Sequence, residues 1–436
     1  MAENATTPGK SFPPLELWGG MEPTINRVGD QFFDQLQRSG HLTRTGDLDL
    51  FASLGLRKLR YPLQWERFEA TGSWAQFDDK LAEMRLLGIE PIAGLLHHGS
   101  GPPHTSLLDL AFPEKLAAYA LQVAQRYPWI SSYTPVNEPQ TTARFSGLYG
   151  HWYPHHRSMA SYVRALVNQV KASILSMRAI RTVNPAAQFV HTEDGGRIWS
   201  TRALEGDREL REHRRWLGVD LLCGCIDQHH PLFQFLLNHG ITAGELLWFA
   251  DNPCPPDVLG LNYYVTSDRF LDHRTHLYPS GYAGGDTGAE PLVDIEAVRI
   301  RSEGIAGVQM ILLDAWTRYR LPVAITEAHL GGTPEAQVSW LAQVWQGAQA
   351  AREAGANCVA VTVWALLGSF DWCNLVTRDE GVYEPGVFDL SSGYPRPTLL
   401  APLVERLAHG LPPESDLDLS GGWWVSEDRL TYPAAD

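Results

Sequence analysis

Along the chain, short apolar runs that end in polar or aromatic residues alternate with longer stretches of helical period, the sequence form of repeated β-α units. Eight such runs are read: Leu15 to Gly20, Leu56 to Tyr61, Pro91 to Leu96, Ile130 to Val136, Gln188 to Thr192, Val258 to Leu261, Pro322 to Thr326 and Cys358 to Val363. Their composition suits parallel strands buried on both faces. The segments between them are long enough for the crossover connections that parallel strands require. Helical period shows in Phe77, Leu81 and Met84, with Gly88 where a helix stops, and in Val163, Leu166, Val167, Val170 and Ile174. Pro113 suits a first helical turn and Pro128 ends the same segment after Tyr127.

The predicted fold is α/β, a single (β/α)8 TIM barrel. It spans 15–410, with 1–14 as an N-terminal extension and 411–436 as an acidic C-terminal tail that contains Trp423 and Trp424. The stretch Tyr278 to Gly288 lacks a period and is read as a surface loop near the site. No internal repeat of solenoid length emerges.

Composition narrows the function. With 44% hydrophobic and 19% charged residues the chain is no disordered polymer, and a net charge of -15 argues against binding nucleic acid phosphates. Five cysteines without paired metal spacing read as reduced, structural thiols. The segment Met1 to Pro14 lacks the positive start and apolar stretch of a secretory signal, and no run approaches the ~20 apolar residues of a membrane span. A cytoplasmic protein without membrane or nucleic acid partners is expected; oligomeric state is open.

In a barrel of this kind the substrate sits at the C-terminal ends of the strands. The residues that follow the runs are Arg60, then His97 and His98, Asn137 and Glu138, Glu193 and Asp194, Asn262 and Tyr264, Glu327, and Trp364. Retaining hydrolysis of a glycosidic bond needs two carboxyl groups roughly 5 to 5.5 Å apart. Glu138 and Glu327 end the fourth and seventh runs, which face each other across a closed eight-stranded sheet.

The motifs around this pair resemble glycoside hydrolase family 1. Thr134-Pro135-Val136-Asn137-Glu138-Pro139 is similar to that family's acid/base motif, and Ile325-Thr326-Glu327 to its nucleophile motif. Val363-Trp364-Ala365-Leu366-Leu367-Gly368-Ser369-Phe370-Asp371-Trp372 resembles the segment that binds the non-reducing sugar. Arg60, within Leu59-Arg60-Tyr61-Pro62, matches the arginine beside the nucleophile; Leu259-Gly260-Leu261-Asn262-Tyr263-Tyr264 matches the strand whose second tyrosine touches that carboxylate.

The resemblance runs in order over about residues 15 to 408 and implies a retaining β-glycosidase acting on a carbohydrate or β-glycoside without a cofactor or metal. Glu138 would be the acid/base and Glu327 the nucleophile, supported by Arg60 and Tyr264. His97, Asn137, Asn262, Trp364, Asp371 and Trp372 would bind the sugar, with Asp371 accepting from its outer hydroxyls. The family's first-strand glutamine has no clear counterpart; Glu22 or Asn26 would have to serve. Asp371 is a methylene shorter than the usual glutamate, the usual Asn-Gly after the nucleophile is Ala328-His329, and the usual tryptophan after the third-strand histidine is His98.

Each residue has a plainer reading. His97 could be a core histidine, Trp364 and Trp372 could fill barrel layers, and Glu193-Asp194 could cap the next helix. The groups His151, His155 and His156, and His229 with His230, read as surface or loop histidines rather than metal ligands. A transglycosylase, a catalytically silent sugar-binding barrel and another retaining barrel family, such as a galactanase or xylanase relative, remain alternatives.

Overall fold

The computed structural model describes residues 12–279, 291–414, 417 and 422–435. At its centre eight parallel strands close into a barrel: β1 (Glu16–Gly20), β2 (Lys58–Pro62), β3 (Glu90–Gly94), β4 (Ser132–Thr134), β5 (Gln188–Asp194), β6 (Val258–Asn262), β7 (Val323–Ala328) and β8 (Cys358–Val363). Each pairs with its neighbours in sequence, and β1 closes on β8 in the register Glu16 to Ala360 through Gly19 to Val363. All eight apolar runs correspond to these strands. The fourth run outlasts its strand because Pro135 has no N–H for the ladder; pairing resumes at Asn137, bridged to His97 on one side and Thr192 on the other.

The helices end where the sequence chemistry says. Gly88 terminates the helix Ala75–Leu87 in the left-handed region at φ 67°, where a side chain would be strained. The helix Met159–Val183 is capped by Ser158, whose side chain accepts from the Ser161 N–H, and buries Val163, Leu166, Val167, Val170 and Ile174. Its main partner is the helix Phe112–Arg126.

Inside the barrel, Trp18, Ile92, Val190 and Ala324, from β1, β3, β5 and β7, pack with Val258 and Ala360 as a cluster of their own. Side chains from alternate strands filling a layer make this a packed core rather than a pore. Two positions further along the same strands stand Gly20, Gly94, Thr192, Gly260, Thr326 and Thr362. This loss of bulk makes room for the large side chains packed above the layer. Gly20 is needed there, because a Cβ on it would lie 2.4 Å from the Trp364 ring.

Tyr278 is buried and donates to Asp272 at 2.7 Å, so the start of the expected surface loop is anchored; its remainder from residue 280 lies outside the described residues. Among the described residues no helix is long and apolar enough to cross a membrane.

The segment 422–435 packs on the barrel's helical layer. Trp424 is buried, its ring meets Trp340 edge-on at 5.5 Å, and its indole N–H donates to Gln343 Oε1 at 3.0 Å. Arg429 donates to the carbonyls of Arg301 and Ser302. We expect Trp424→Ala to cost about 3 kcal/mol in denaturant unfolding, the usual loss for a buried aromatic; a change within error would mean the segment adds nothing to stability.

Candidate active site

A cavity of about 660 Å³ opens at the C-terminal ends of the barrel strands, lined among others by Glu22, His98, Glu138, Tyr264, Glu327, Trp364 and Trp372. Its floor is a hydrogen-bonded layer organised by Arg60. The guanidinium donates through Nη1 to Glu327 Oε1 at 2.7 Å and to the Thr326 carbonyl at 2.8 Å, and through Nη2 to Asn137 Oδ1 at 2.6 Å. Asn137 Oδ1 also accepts from Thr192 Oγ1 at 2.7 Å, and Thr326 Oγ1 donates to Asn262 Oδ1 at 2.7 Å. Charged donors of this kind are worth roughly twice a neutral hydrogen bond when buried.

The two carboxyl groups sit in different surroundings. Glu327 takes Arg60 on one oxygen and the Tyr264 hydroxyl, at 2.5 Å, on the other. Glu138 has one side-chain donor, Asn262 Nδ2, at 2.6 Å on Oε1, while His98 Nε2 stands 3.9 Å from Oε2. Burial raises both, but Arg60 and Tyr264 hold Glu327 down, whereas Glu138 rises well above the usual carboxylate range through burial and the charges of Glu327, Asp194 and Glu193. One proton shared by this pair therefore resides on Glu138.

The backbone at Glu138 is unusual. Its φ is 43°, a left-handed conformation that costs a non-glycine residue of order 1 to 3 kcal/mol. Its N–H donates to the Thr192 carbonyl at 3.0 Å and its carbonyl accepts from Thr142 at 3.0 Å, which fixes the turn into the short helix Pro139–Ala143. Glu193 completes that turn by accepting from the Gln140 N–H at 3.1 Å. It therefore serves a helix N-terminus, as the plainer reading held, but the helix belongs to the neighbouring strand β4.

Most of the expected sugar contacts converge, with two corrections. Asn137, Trp364 and Trp372 gather with the two carboxyl groups, while His97 lies stacked on Trp364 at 5.6 Å with Nε2 3.2 Å from Asn137 Nδ2. Asn262 is fully buried and spends its amide on Glu138 and Thr326, so it holds Glu138 rather than facing the cavity. Asp371 is turned away from the cavity. Its oxygens accept from the N–H groups of Glu380, Gly381 and Val382 and pair with Arg38 at 2.7 Å, and the side chain is fully buried away from the cavity lining. Its φ of 57° bends the chain back on itself there.

Other residues enter the cavity without having been foreseen. Glu384, on the hairpin strand Tyr383–Glu384, lies 3.6 Å from His329 Nε2. Arg144 and Arg269, paired with Asp194 and Asp294, form the opposite wall. Arg269–Asp272 and Val293–Glu296 belong to a small sheet beside the barrel, and the apolar-polar alternation of Val293–Glu296 is the signal that could have found it. Glu22 lines the cavity after β1, whereas Asn26 is fully buried and donates to the Val376 carbonyl. Among the described residues no group of three His, Cys, Asp or Glu side chains is arranged to hold a metal. His155, His156 and His230 are each engaged locally, with Gly29, Ser161 and Asp220.

Comparison with known proteins agrees with this architecture. No family model matches the chain. The phospho-cellobiase of Klebsiella oxytoca is 23% identical over 387 residues, covering 74% of this chain and 78% of that protein. The family 1 β-glucosidase of Thermotoga maritima superposes with a TM-score of 0.74 at 15% identity over 92% of this chain and 98% of its own. The β-glucosidase of the same organism in complex with deoxynojirimycin gives 0.73 at 16% over 93% and 100%. The chain thus shares the (β/α)8 barrel fold of the Thermotoga family 1 β-glucosidase.

Glu22, Glu66 and Glu193 are buried carboxyl groups pushed up, first by burial, to about 7, about 8 and about 8. The native state then keeps protons that the unfolded chain has already released, so stability falls as pH rises from about 5 to about 8. We expect a lower Tm at pH 8 than at pH 6, and Glu66→Gln, which cannot ionise, should narrow the gap. A gap that Glu66→Gln leaves unchanged would contradict the assignment.

Proposed function

We propose that the chain is a retaining β-glycosidase in which Glu138 is the acid/base and Glu327 the nucleophile. The observation that supports this best is the unequal treatment of the pair: two strong donors, one cationic, on Glu327, and a single amide on Glu138 in a buried, negatively charged setting. One group is thereby kept ionised for attack and the other kept protonated, the division of labour that double displacement demands.

In the first step Glu138 gives its proton to the leaving oxygen while Glu327 attacks the anomeric carbon and forms a glycosyl ester. Esterification removes the charge on Glu327, which lowers the proton affinity of Glu138 and turns it into the base that activates water. Asn137, aimed by Arg60 and Thr192, would hold the 2-hydroxyl, a contact that tightens as the sugar flattens toward the oxocarbenium-like transition state. Trp364 and Trp372 would supply apolar platforms for the pyranose. Sugar and leaving group are to be read from an aryl β-glycoside panel of glucoside, galactoside, mannoside, fucoside and xyloside. A phosphorylated glucoside joins it because the Klebsiella relative is a phospho-cellobiase.

Glu138→Gln should slow glycosides with poor leaving groups far more than activated aryl glycosides, which depart without proton help. Equal losses on both, measured as kcat/KM, would remove the acid assignment. Glu327→Gly should abolish hydrolysis, with activity partly restored by azide or formate entering the vacated space; a folded variant that no anion rescues would count against the nucleophile.

A further inference from the structure

A recess of about 40 Å³ adjoins the cavity and shares Arg144, Tyr149, Asp194 and Arg269 with its wall. It lies on the Glu138 side: Gln140, in the short helix that follows Glu138, lines it, and Arg144 stands at that helix's C-terminal end. Neither Glu327 nor Trp364 nor Trp372 reaches it. One water needs ~10 to 15 Å³, so the space admits a carboxylate-sized group but not a pyranose.

Guanidinium groups dominate the lining. Arg144, Arg211, Arg214, Arg215 and Arg269 meet there, with Asp194 and Asp294 as the lining carboxylates. Arg211 and Arg269 both pair with Asp294, at 2.5 and 2.8 Å, so one carboxylate serves two cations. Burial raises Asp294, yet Arg269 and Arg211 hold it below the usual carboxylate range. Arg144 donates through Nη2 to Thr141 Oγ1 at 3.1 Å and to Asp194 Oδ2 at 3.2 Å, while its Nε is buried without a partner. Arg269 gives Nε to Asp294 Oδ1 at 2.8 Å and Nη2 to the Asp294 carbonyl at 2.9 Å. Among the described residues nothing meets Nη1 of either arginine or the Tyr149 hydroxyl, and all three residues line both recess and cavity. A network that only tied the small sheet to the barrel would close its donors on one another. This one keeps guanidinium donors open, and their planar fork suits carboxylate, sulfate and phosphate oxygens. A net charge of -15 gives the chain no general affinity for anions, so a preference for one has to come from a local group of this kind.

We propose that the recess is an oxyanion-binding subsite for the leaving group, and that the substrate is a β-glycoside whose departing portion carries a carboxylate, sulfate or phosphate held by Arg144 and Arg269. The proposal rests on the glycosidase reading above, which puts the leaving group on the Glu138 side, and names its chemical class.

Calorimetric titration of the wild-type chain near neutral pH with para-hydroxybenzoate, phenyl sulfate and phenyl phosphate, against the neutral methyl para-hydroxybenzoate, tests it without turnover. At least one anion should bind about tenfold more tightly than the ester, as one charge-assisted hydrogen bond provides, and the tightest names the natural group. Arg144→Gln and Arg269→Gln, with Arg269→Lys as the milder change and each fold checked by circular dichroism, should reduce that preference. A wild-type chain that prefers no anion to the ester, or folded variants that keep the full preference, would overturn the proposal. Inorganic sulfate binding as tightly as the aryl anions would overturn it too, because the recess would then serve a free ion. On the sugar that the aryl panel identifies, the ratio of kcat/KM for the para-carboxyphenyl glycoside to that for its methyl ester should fall about tenfold in Arg269→Gln. Anion preference without cleavage of any glycoside would retain the subsite and reject the glycosidase, whereas cleavage of aryl glycosides without anion preference would do the reverse.

Discussion

The site depends on one buried guanidinium. Arg60 projects from β2 into the barrel mouth and joins β7, through Glu327 and the Thr326 carbonyl, to the end of β4, through Asn137. A buried arginine is tolerable only when carboxylate and carbonyl oxygens meet it, and a buried carboxylate only when a cation does. Each side of this pair therefore makes the other possible. The position of Asn137 follows from it, and with Asn137 the turn into Glu138. Removing the charge at position 60 would leave Glu327 beside two other buried carboxyl groups with nothing to favour its ionised form.

That constraint explains why the two carboxyl groups differ although both end barrel strands and both are buried. The difference lies in the neighbours. Glu327 has a guanidinium and a phenol; Glu138 has an amide and a tightly bent backbone fixed from β5 by Thr192 and Glu193. Local strain at φ 43° is held by hydrogen bonds from an adjacent strand, the usual way in which a rigid scaffold sustains an unfavourable turn.

Much of this was legible in the sequence because barrel geometry ties function to the ends of apolar runs. Arg60, Asn137, Glu138, Tyr264, Glu327 and Trp364 all stand there, and all meet in one cavity or on its floor. The reading failed where a residue's place depends on a loop rather than a strand. Asp371 carries a suitable side chain beside Trp372, but a left-handed turn points it at the N–H groups of Glu380 to Val382. Glu384 comes into the cavity on a hairpin that no periodicity announces. For Glu22 and Asn26 composition gave no choice between them; in the structure Glu22 lines the cavity, whereas Asn26 is buried and donates to the Val376 carbonyl.

Closure of β1 on β8 joins the beginning of the chain to a strand more than three hundred residues later. The two carboxyl groups of the cavity and their partners come from β2, β6 and β7 and from the segments that follow β4 and β6, and the Trp364 wall follows β8. During synthesis no partial set of strands holds Arg60, Glu138, Glu327 and Trp364 together. The half-made chain thus has no assembled cavity, and its apolar strand faces stay uncovered until the last barrel strand has left the ribosome; the molecule is most exposed to aggregation in the interval just before the barrel closes.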